Sequence, residues 1–162
     1  MEGDGDEQDC GRRDELVELL RLYGVQAQQV GDSFAQRHGL HPTDLQALIA
    51  ALHAERRGDP LTPGRLGEAL GLSSGATTAV IDRLERAGHL RRTRESADRR
   101  IVHLRHGEPG RALASSFFQP LGARSHTVMD GFSTDELATV ARFLRGMTDA
   151  FAAHRREVRS SG

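Results

Sequence analysis

Two short stretches in the middle of the chain carry apolar residues at the three- and four-residue spacing of an α-helix. Their apolar positions are Leu66, Ala69 and Leu70 in the first stretch and Ala76, Val80 and Leu84 in the second. Thr62 and Pro63 are typical of a helix start, because Thr caps free N–H groups and Pro has no N–H to cap. Gly71 suits the left-handed conformation at a helix end. The pattern predicts a helix-turn-helix, since two short helices joined by a Gly-containing turn form that motif.

The second helix is expected to begin after a capping serine, either Ser73 or Ser74, and to end at Gly88. Its exposed face holds small hydroxyl residues, which approach bases and phosphates closely at a helix N-terminus. A helical hairpin without a nucleic-acid function would more often carry Glu and Lys on that face. The candidate DNA-binding residues of this helix are Ser73, Ser74, Gly75, Thr77, Thr78 and Arg83.

Basic residues dominate the segment that follows the second helix. Residues 89–94 and 100–105 are predicted to form two strands of a hairpin, with residues 95–99 at its tip. Eight arginines and three acidic residues occur from Arg83 to Arg105, although the formal net charge of the whole chain is −1. Such a charge run is often only a solvated face, but arginines on a thin ribbon also suit a narrow minor groove and its phosphates. The hairpin therefore predicts a winged helix-turn-helix. The candidate DNA-binding residues of the wing are Arg92, Arg94, Asp98, Arg99 and Arg100.

This region resembles the MarR family of bacterial transcriptional regulators. The matching residues are the segments LTPGRLGEALGL and SSGATTAVIDRLERAGHLRR and the wing-tip motif Asp98-x-Arg100. The resemblance extends from about Glu15 to about His154. It implies that Arg100 reaches the minor groove and that Asp98 helps to orient it.

The chain departs from the family pattern just after the wing. His106 and Gly107 stand where the family usually has Leu-Thr, although the spacing to Gly110 is kept. Because that Thr normally caps the next helix, we expect a looser helix start in this chain.

Long amphipathic patterns flank the winged helix-turn-helix. The first covers residues 13–37 and carries an apolar stripe of Leu16, Leu20, Tyr23, Ala27, Val30 and Phe34. A further helix is expected from Pro109 to about Met129, with a kink or interruption at Pro120. Ser133 and Glu136 predict a capping box for the last helix. Its apolar positions are Leu137, Val140, Leu144, Met147 and Phe151.

These patterns predict a mainly α protein, an α+β winged helix of about six helices and a two-stranded β-wing. A hydrophobic content of 37% without Trp is low for a self-sufficient globule. We therefore expect an intertwined helical dimer, as the resemblance also implies. The expected division is a flexible acidic tail over 1–12, a helical dimerisation region over 13–41 and 108–157, and the DNA-binding domain over 42–107.

No catalytic motif accompanies this pattern, and we do not expect an enzyme. The sequence lacks a P-loop, a dinucleotide fingerprint, a G-x-S-x-G elbow and an HExxH motif. The eight histidines form no Cys–His cluster, so no metal and no cofactor are expected. Cys10 is a single cysteine and cannot form an intramolecular disulfide. No run of ~18 apolar residues and no secretory signal pattern is present, so we expect no membrane span and a cytoplasmic protein.

The leading hypothesis is a homodimer that binds a pseudo-palindromic operator in double-stranded DNA and represses transcription. The family resemblance implies release by a small aromatic or anionic effector. By position, Tyr23, His53 and Phe117 are candidates to line its pocket, although Tyr23 equally suits plain core. The alternative hypothesis is a winged-helix protein-interaction module without operator binding, for which the His106–Gly107 departure is the motivation.

Overall fold

The structure is a computed structural model that describes residues 3–94 and 101–160, with side chains for 9–94 and 101–158. In these residues the chain forms six helices and a two-stranded antiparallel sheet, which confirms the predicted fold class. The elements are α1 (Gly3–Arg37), α2 (Pro42–Arg56), α3 (Pro63–Leu70), α4 (Ser74–Arg86), β1 (Leu90–Thr93), β2 (His103–His106), α5 (Glu108–Met129) and α6 (Thr134–Ser160). The chain divides into two compact units, Met1–Phe117 and Phe118–Gly162. No helix of the described residues combines the length and apolar character that a membrane span requires.

The core of the first unit lies where α2, α3, α4 and the β1–β2 wing meet. Its buried residues include Ala47, Leu48, Ala51, Leu66, Ile81, Leu84, Leu90 and Leu104. In the wing, Leu90 lies opposite His106 and Thr93 lies opposite His103. The Leu104 N–H donates to the Leu61 carbonyl at 2.7 Å, so the second wing strand is fixed to the chain just before α3.

The local signals in the helix-turn-helix are confirmed. Thr62 Oγ1 accepts from the Arg65 N–H at 3.3 Å at the start of α3. Gly71 follows α3 with a φ of 71°, the left-handed conformation that favours glycine. Of the two serines considered for the start of α4, Ser73 is the cap, and its Oγ accepts from the Ala76 N–H at 3.3 Å.

Two long helices differ from the sequence prediction. α1 begins at Gly3 rather than near Arg13, and it includes an ion pair between Asp9 and Arg13 at 2.7 Å. Oppositely charged side chains four residues apart lie on the same helix face and stabilise the helix modestly. α5 continues through Pro120, so the interruption considered from the sequence is wrong, whereas the kink at Pro120 stays a prediction.

The start of α5 packs directly on the turn between α4 and β1. The Gly107 N–H donates to the His89 carbonyl at 3.0 Å, and the Gly107 carbonyl accepts from the Arg111 N–H at 3.0 Å. A Cβ atom on Gly107 would lie 2.0 Å from the Gly88 carbonyl oxygen. The looser helix start that we expected is therefore not observed. Backbone contacts hold this start, and the chain has no room for the family's threonine.

We predict that Gly107→Ala destabilises the fold by about 3 kcal/mol, since the added methyl group overlaps a backbone carbonyl that has no rotamer to change. Urea denaturation at a fixed protein concentration measures the effect. Gly64→Ala is the matched control, because Gly64 is exposed in α3 and its Cβ would contact nothing within 4 Å. We expect that control to be stabilised by up to about 1 kcal/mol. Equal unfolding midpoints for the two variants would contradict the close contact.

Candidate nucleic-acid interface

The exposed face of the first half of α4 consists of small and hydroxyl residues. Ser74, Gly75 and Thr78 are exposed, whereas Val80 and Ile81 are buried in the core. The Thr78 Oγ1 donates to the Ser74 carbonyl at 3.0 Å, which fixes its side-chain rotamer. The side chains on this face of α4 are short, so another molecule can come close to the helix backbone.

Thr77 does not belong to this face, and the prediction that it does is wrong. Its side chain is buried, with 4% exposure, and its Oγ1 donates to the Ser73 carbonyl at 2.9 Å. A Cβ on Gly67 would lie 2.7 Å from this Oγ1, so Thr77 fills the contact between α3 and α4. The spacing contained the signal, because Thr77 stands three and four residues before the apolar Val80 and Ile81.

Arg83 lies against α2 rather than extending freely from α4. Its Nε donates to both carboxylate oxygens of Asp44, at 3.1 and 2.8 Å, and its Nη2 donates to Asp44 Oδ1 at 2.6 Å. The Asp44 side chain is only 3% exposed. The hydrogen bonds that Arg83 donates to the Asp44 carboxylate raise the pKa of Arg83 above its usual value. Arg83 was predicted to contact DNA, but in the free protein its guanidinium forms an ion pair with Asp44.

Arg92 connects the wing to α4. Its Nη2 donates to Asp82 Oδ1 at 2.6 Å, its Nη1 pairs with Glu85, and its backbone N–H donates to Glu85 Oε1 at 3.1 Å. The hydrogen bonds that Arg92 donates to Asp82, and to a lesser extent to Glu85, raise the pKa of Arg92. The predicted phosphate contact of Arg92 would therefore compete with two carboxylates of the same chain.

The remaining wing candidates differ in what the structure describes of them. Arg94 is exposed and follows directly after β1. Asp98, Arg99 and Arg100 lie outside the described residues, and their DNA contacts stay a prediction.

His106 is a buried residue whose role the sequence did not reveal. Its side chain has 0% exposure, and its Nε2 lies 3.1 Å from the Leu48 carbonyl oxygen. Its Nδ1 lies 3.0 Å from Glu55 Oε2. Because a carbonyl oxygen only accepts hydrogen bonds, Nε2 carries a proton. The ring therefore links β2 to the middle and the end of α2. The departure from the family's Leu at this position was the signal that could have found it.

The three candidate effector residues have different surroundings. The Phe117 ring contacts Phe34, with ring centroids 4.6 Å apart, and Phe34 contacts His38 at 4.3 Å. Tyr23 has 72% exposure, and His53 is also exposed. The pocket at Tyr23, His53 and Phe117 stays a prediction.

In the part of the chain that the structure describes, no group of three His, Cys, Asp or Glu side chains is arranged to hold a metal ion.

We predict that His106→Ala lowers the free energy of unfolding by roughly 2–4 kcal/mol, because it leaves a cavity and removes the hydrogen bond to the buried Leu48 carbonyl. The shift in the urea midpoint at constant protein concentration measures it. His53→Ala removes an exposed histidine from the same helix, α2, and we expect a change within about 0.5 kcal/mol. Loss of equal size in both variants would contradict the role assigned to His106.

Comparisons with known proteins agree with this arrangement. A model of the MarR family matches residues 38–101. An uncharacterized HTH-type transcriptional regulator of Bacillus subtilis, YcgE, is 32% identical over 133 residues, which cover 82% of this chain and 84% of that protein. The transcriptional repressor MprA of Escherichia coli is 30% identical over 114 residues, which cover 68% of this chain and 64% of that protein.

Among solved structures, a MarR family protein from Bacillus stearothermophilus superposes with a TM-score of 0.65 and 26% identity. The superposition covers 87% of this chain and 96% of that one. The match includes the helices on both sides of the helix-turn-helix as well as the motif itself. The chain belongs to the MarR family of transcriptional regulators.

Proposed function

We propose that the protein is a homodimer that binds a pseudo-palindromic operator in double-stranded DNA and represses transcription. The observation that carries this proposal is the exposed face of α4, formed by Ser74, Gly75 and Thr78, with a β-wing packed beside it. α4 enters the major groove, and the wing approaches the adjacent minor groove. Repression is the direction that the name of the Escherichia coli relative favours.

Exposed apolar side chains on α1 and on α6 support the dimer. On α1, Leu19 has 53% exposure and Leu22 has 56%, and on α6 Phe151 has 67%. Apolar surface of this extent is typical of a protein–protein interface. The dimerisation region consists of residues 13–41 and 108–157, and the DNA-binding domain of residues 42–107. A two-fold dimer presents its two α4 helices to successive major grooves, ~34 Å apart.

In this proposal, a small aromatic or anionic effector binds the protein and causes it to dissociate from the operator. The half-buried, tilted ring contact between Phe34 and Phe117 supports an aromatic ligand, because this ring pair offers such a molecule further aromatic contacts. Tyr23, His53 and Phe117 are the proposed lining residues. The interaction-module alternative loses its motivation, since the His106–Gly107 departure has a packing explanation.

The test is a fluorescence-anisotropy titration with duplex DNA from the region upstream of the coding sequence and with duplexes selected from a random pool. We expect selective binding over a scrambled duplex, with two protomers per site and a steep dependence on salt. Failure to bind any duplex at low salt would contradict operator binding and favour the interaction module.

We predict that Arg100→Ala costs ~1–3 kcal/mol of operator binding and reduces the salt slope by about 1, because one phosphate or minor-groove contact is lost. Arg100→Lys is the matched control: it keeps the charge and hence the slope, but it fits a narrow minor groove less well than arginine. Unchanged affinity and slope in Arg100→Ala would remove Arg100 from the interface.

We predict that Leu144→Glu shifts the protein from dimer to monomer, because the interface would have to bury an unpaired carboxylate. Sedimentation velocity over a range of protein concentrations measures the change. Arg142→Glu introduces the same carboxylate on the opposite side of α6, where we expect the dimer to persist. A Leu144→Glu variant that sediments like the unmodified protein would place the interface elsewhere.

A further inference from the structure

The Arg83 side chain is held by a carboxylate that has little access to water. Three hydrogen bonds of 2.6 to 3.1 Å join the guanidinium to Asp44, whose side chain is 3% exposed, whereas that of Arg83 is 45% exposed. The two residues are 39 positions apart in the sequence and connect α2 to α4. A planar guanidinium that donates to both oxygens of one carboxylate has a fixed orientation as well as a favourable charge contact.

Asp44 has a second role at the start of α2. Its Oδ2 accepts from the His41 N–H at 3.3 Å, while the His41 side chain accepts from the Thr43 N–H, which together form a capping box. The capping contact thus fixes the carboxylate at the helix start through groups other than Arg83. If Arg83 turned towards DNA, Asp44 would remain buried with its charge unpaired, which strongly disfavours that movement.

Two further arginines, Arg86 of α4 and Arg92 of the wing, also bind oxygen atoms of this chain. Arg86 Nε donates to the Asp82 carbonyl at 3.3 Å. Arg92 pairs with the side chains of Asp82 and Glu85. Arginine bound to guanine is the commonest specific contact in the major groove, and both arginines of α4 have partners within the protein.

We propose that Asp44 is a positioning residue that fixes α4 against α2 through Arg83. α4 then reads its half-site with Ser74, Gly75 and Thr78 and not with an arginine directed to guanine. The inference rests on the proposed function for its DNA part only, since the coupling of Asp44 to Arg83 is a property of the free protein. Hydroxyl groups bond to several bases and the threonine methyl group contacts thymine, so this face suits A·T-containing steps.

The first experiment uses the free protein and a double-mutant cycle of Asp44→Asn, Arg83→Met and the two combined. Asn keeps an acceptor oxygen for the α2 cap, and Met keeps much of the apolar stem of Arg83. We expect Arg83→Met to lower the unfolding midpoint the most, because it leaves the buried Asp44 carboxylate without its ion-pair partner. The double variant should recover part of that loss, because it also removes the unpaired charge. If the shifts in unfolding midpoint of the two single variants add exactly to that of the double variant, the energetic coupling of Asp44 and Arg83, which we call the Asp44–Arg83 clamp, is overturned. This result does not depend on DNA binding.

The second experiment measures operator affinity of the same variants across salt concentrations. A positioning role predicts that Arg83→Met weakens binding with an unchanged salt slope, and that Asp44→Asn in the same chain restores part of the affinity. A direct phosphate contact predicts a slope reduced by about 0.9 and no rescue, because removing Asp44 does not replace a lost cation. The second pattern would overturn the proposal.

The third experiment replaces operator guanines that face α4 with 7-deazaguanine, which removes the major-groove N7 acceptor. We expect the same fold-change in affinity for the unmodified protein and for the double variant. An effect in the unmodified protein that disappears in the double variant would place Arg83 on guanine and overturn the proposal. If the unmodified protein binds no duplex while the stability cycle remains non-additive, the proposed function fails and the Asp44–Arg83 clamp stands.

Discussion

Close packing around α2 is the constraint on which the rest of the DNA-binding unit depends. Ala47 and Ala51 are completely buried and have no side chain beyond Cβ, so neighbouring elements approach the helix closely. At the start of α2 the Asp44 carboxylate accepts hydrogen bonds from Arg83 of α4. The Leu48 carbonyl in the middle of α2 and the Glu55 carboxylate near its end bind His106 of β2. The apolar centre supplies the burial free energy, and the polar contacts at its two ends fix the orientation of the surrounding elements.

The formal charge of the sequence near α4 differs from the positive charge that the folded protein leaves unpaired. The formal charge of residues 83–105 is strongly positive, yet Arg83 and Arg92 are engaged by Asp44, Asp82 and Glu85 within the fold. Charge that is already neutralised in the free protein contributes less to counterion release on DNA binding. The number of arginines in the sequence therefore overestimates the number of phosphate contacts that the free protein offers.

The sequence predicted local structure well because its signals act over a few residues. The Thr62 cap, the left-handed Gly71 and the Ser133–Glu136 capping box each depend on backbone groups within about one helical turn, and all are present. Contacts between distant residues left no such signal. The side-chain pattern of α4 did not identify a partner 39 residues away for Arg83, and Thr77 is polar although its position is internal. The winged helix was therefore predictable, whereas the division of its polar residues between core and interface was not.

The contact between Gly107 and Gly88 has a mechanical consequence. Two backbones meet there with no side chain between them, so no rotamer change is available to absorb a small displacement. Packed interiors have low compressibility and transmit strain. A shift of the first turn of α5 must therefore carry the α4–β1 turn with it, and the wing begins only two residues later. The contact between Gly107 and Gly88 is therefore rigid. Through it, a movement of the start of α5 changes the orientation of the wing, and no side chain has to repack.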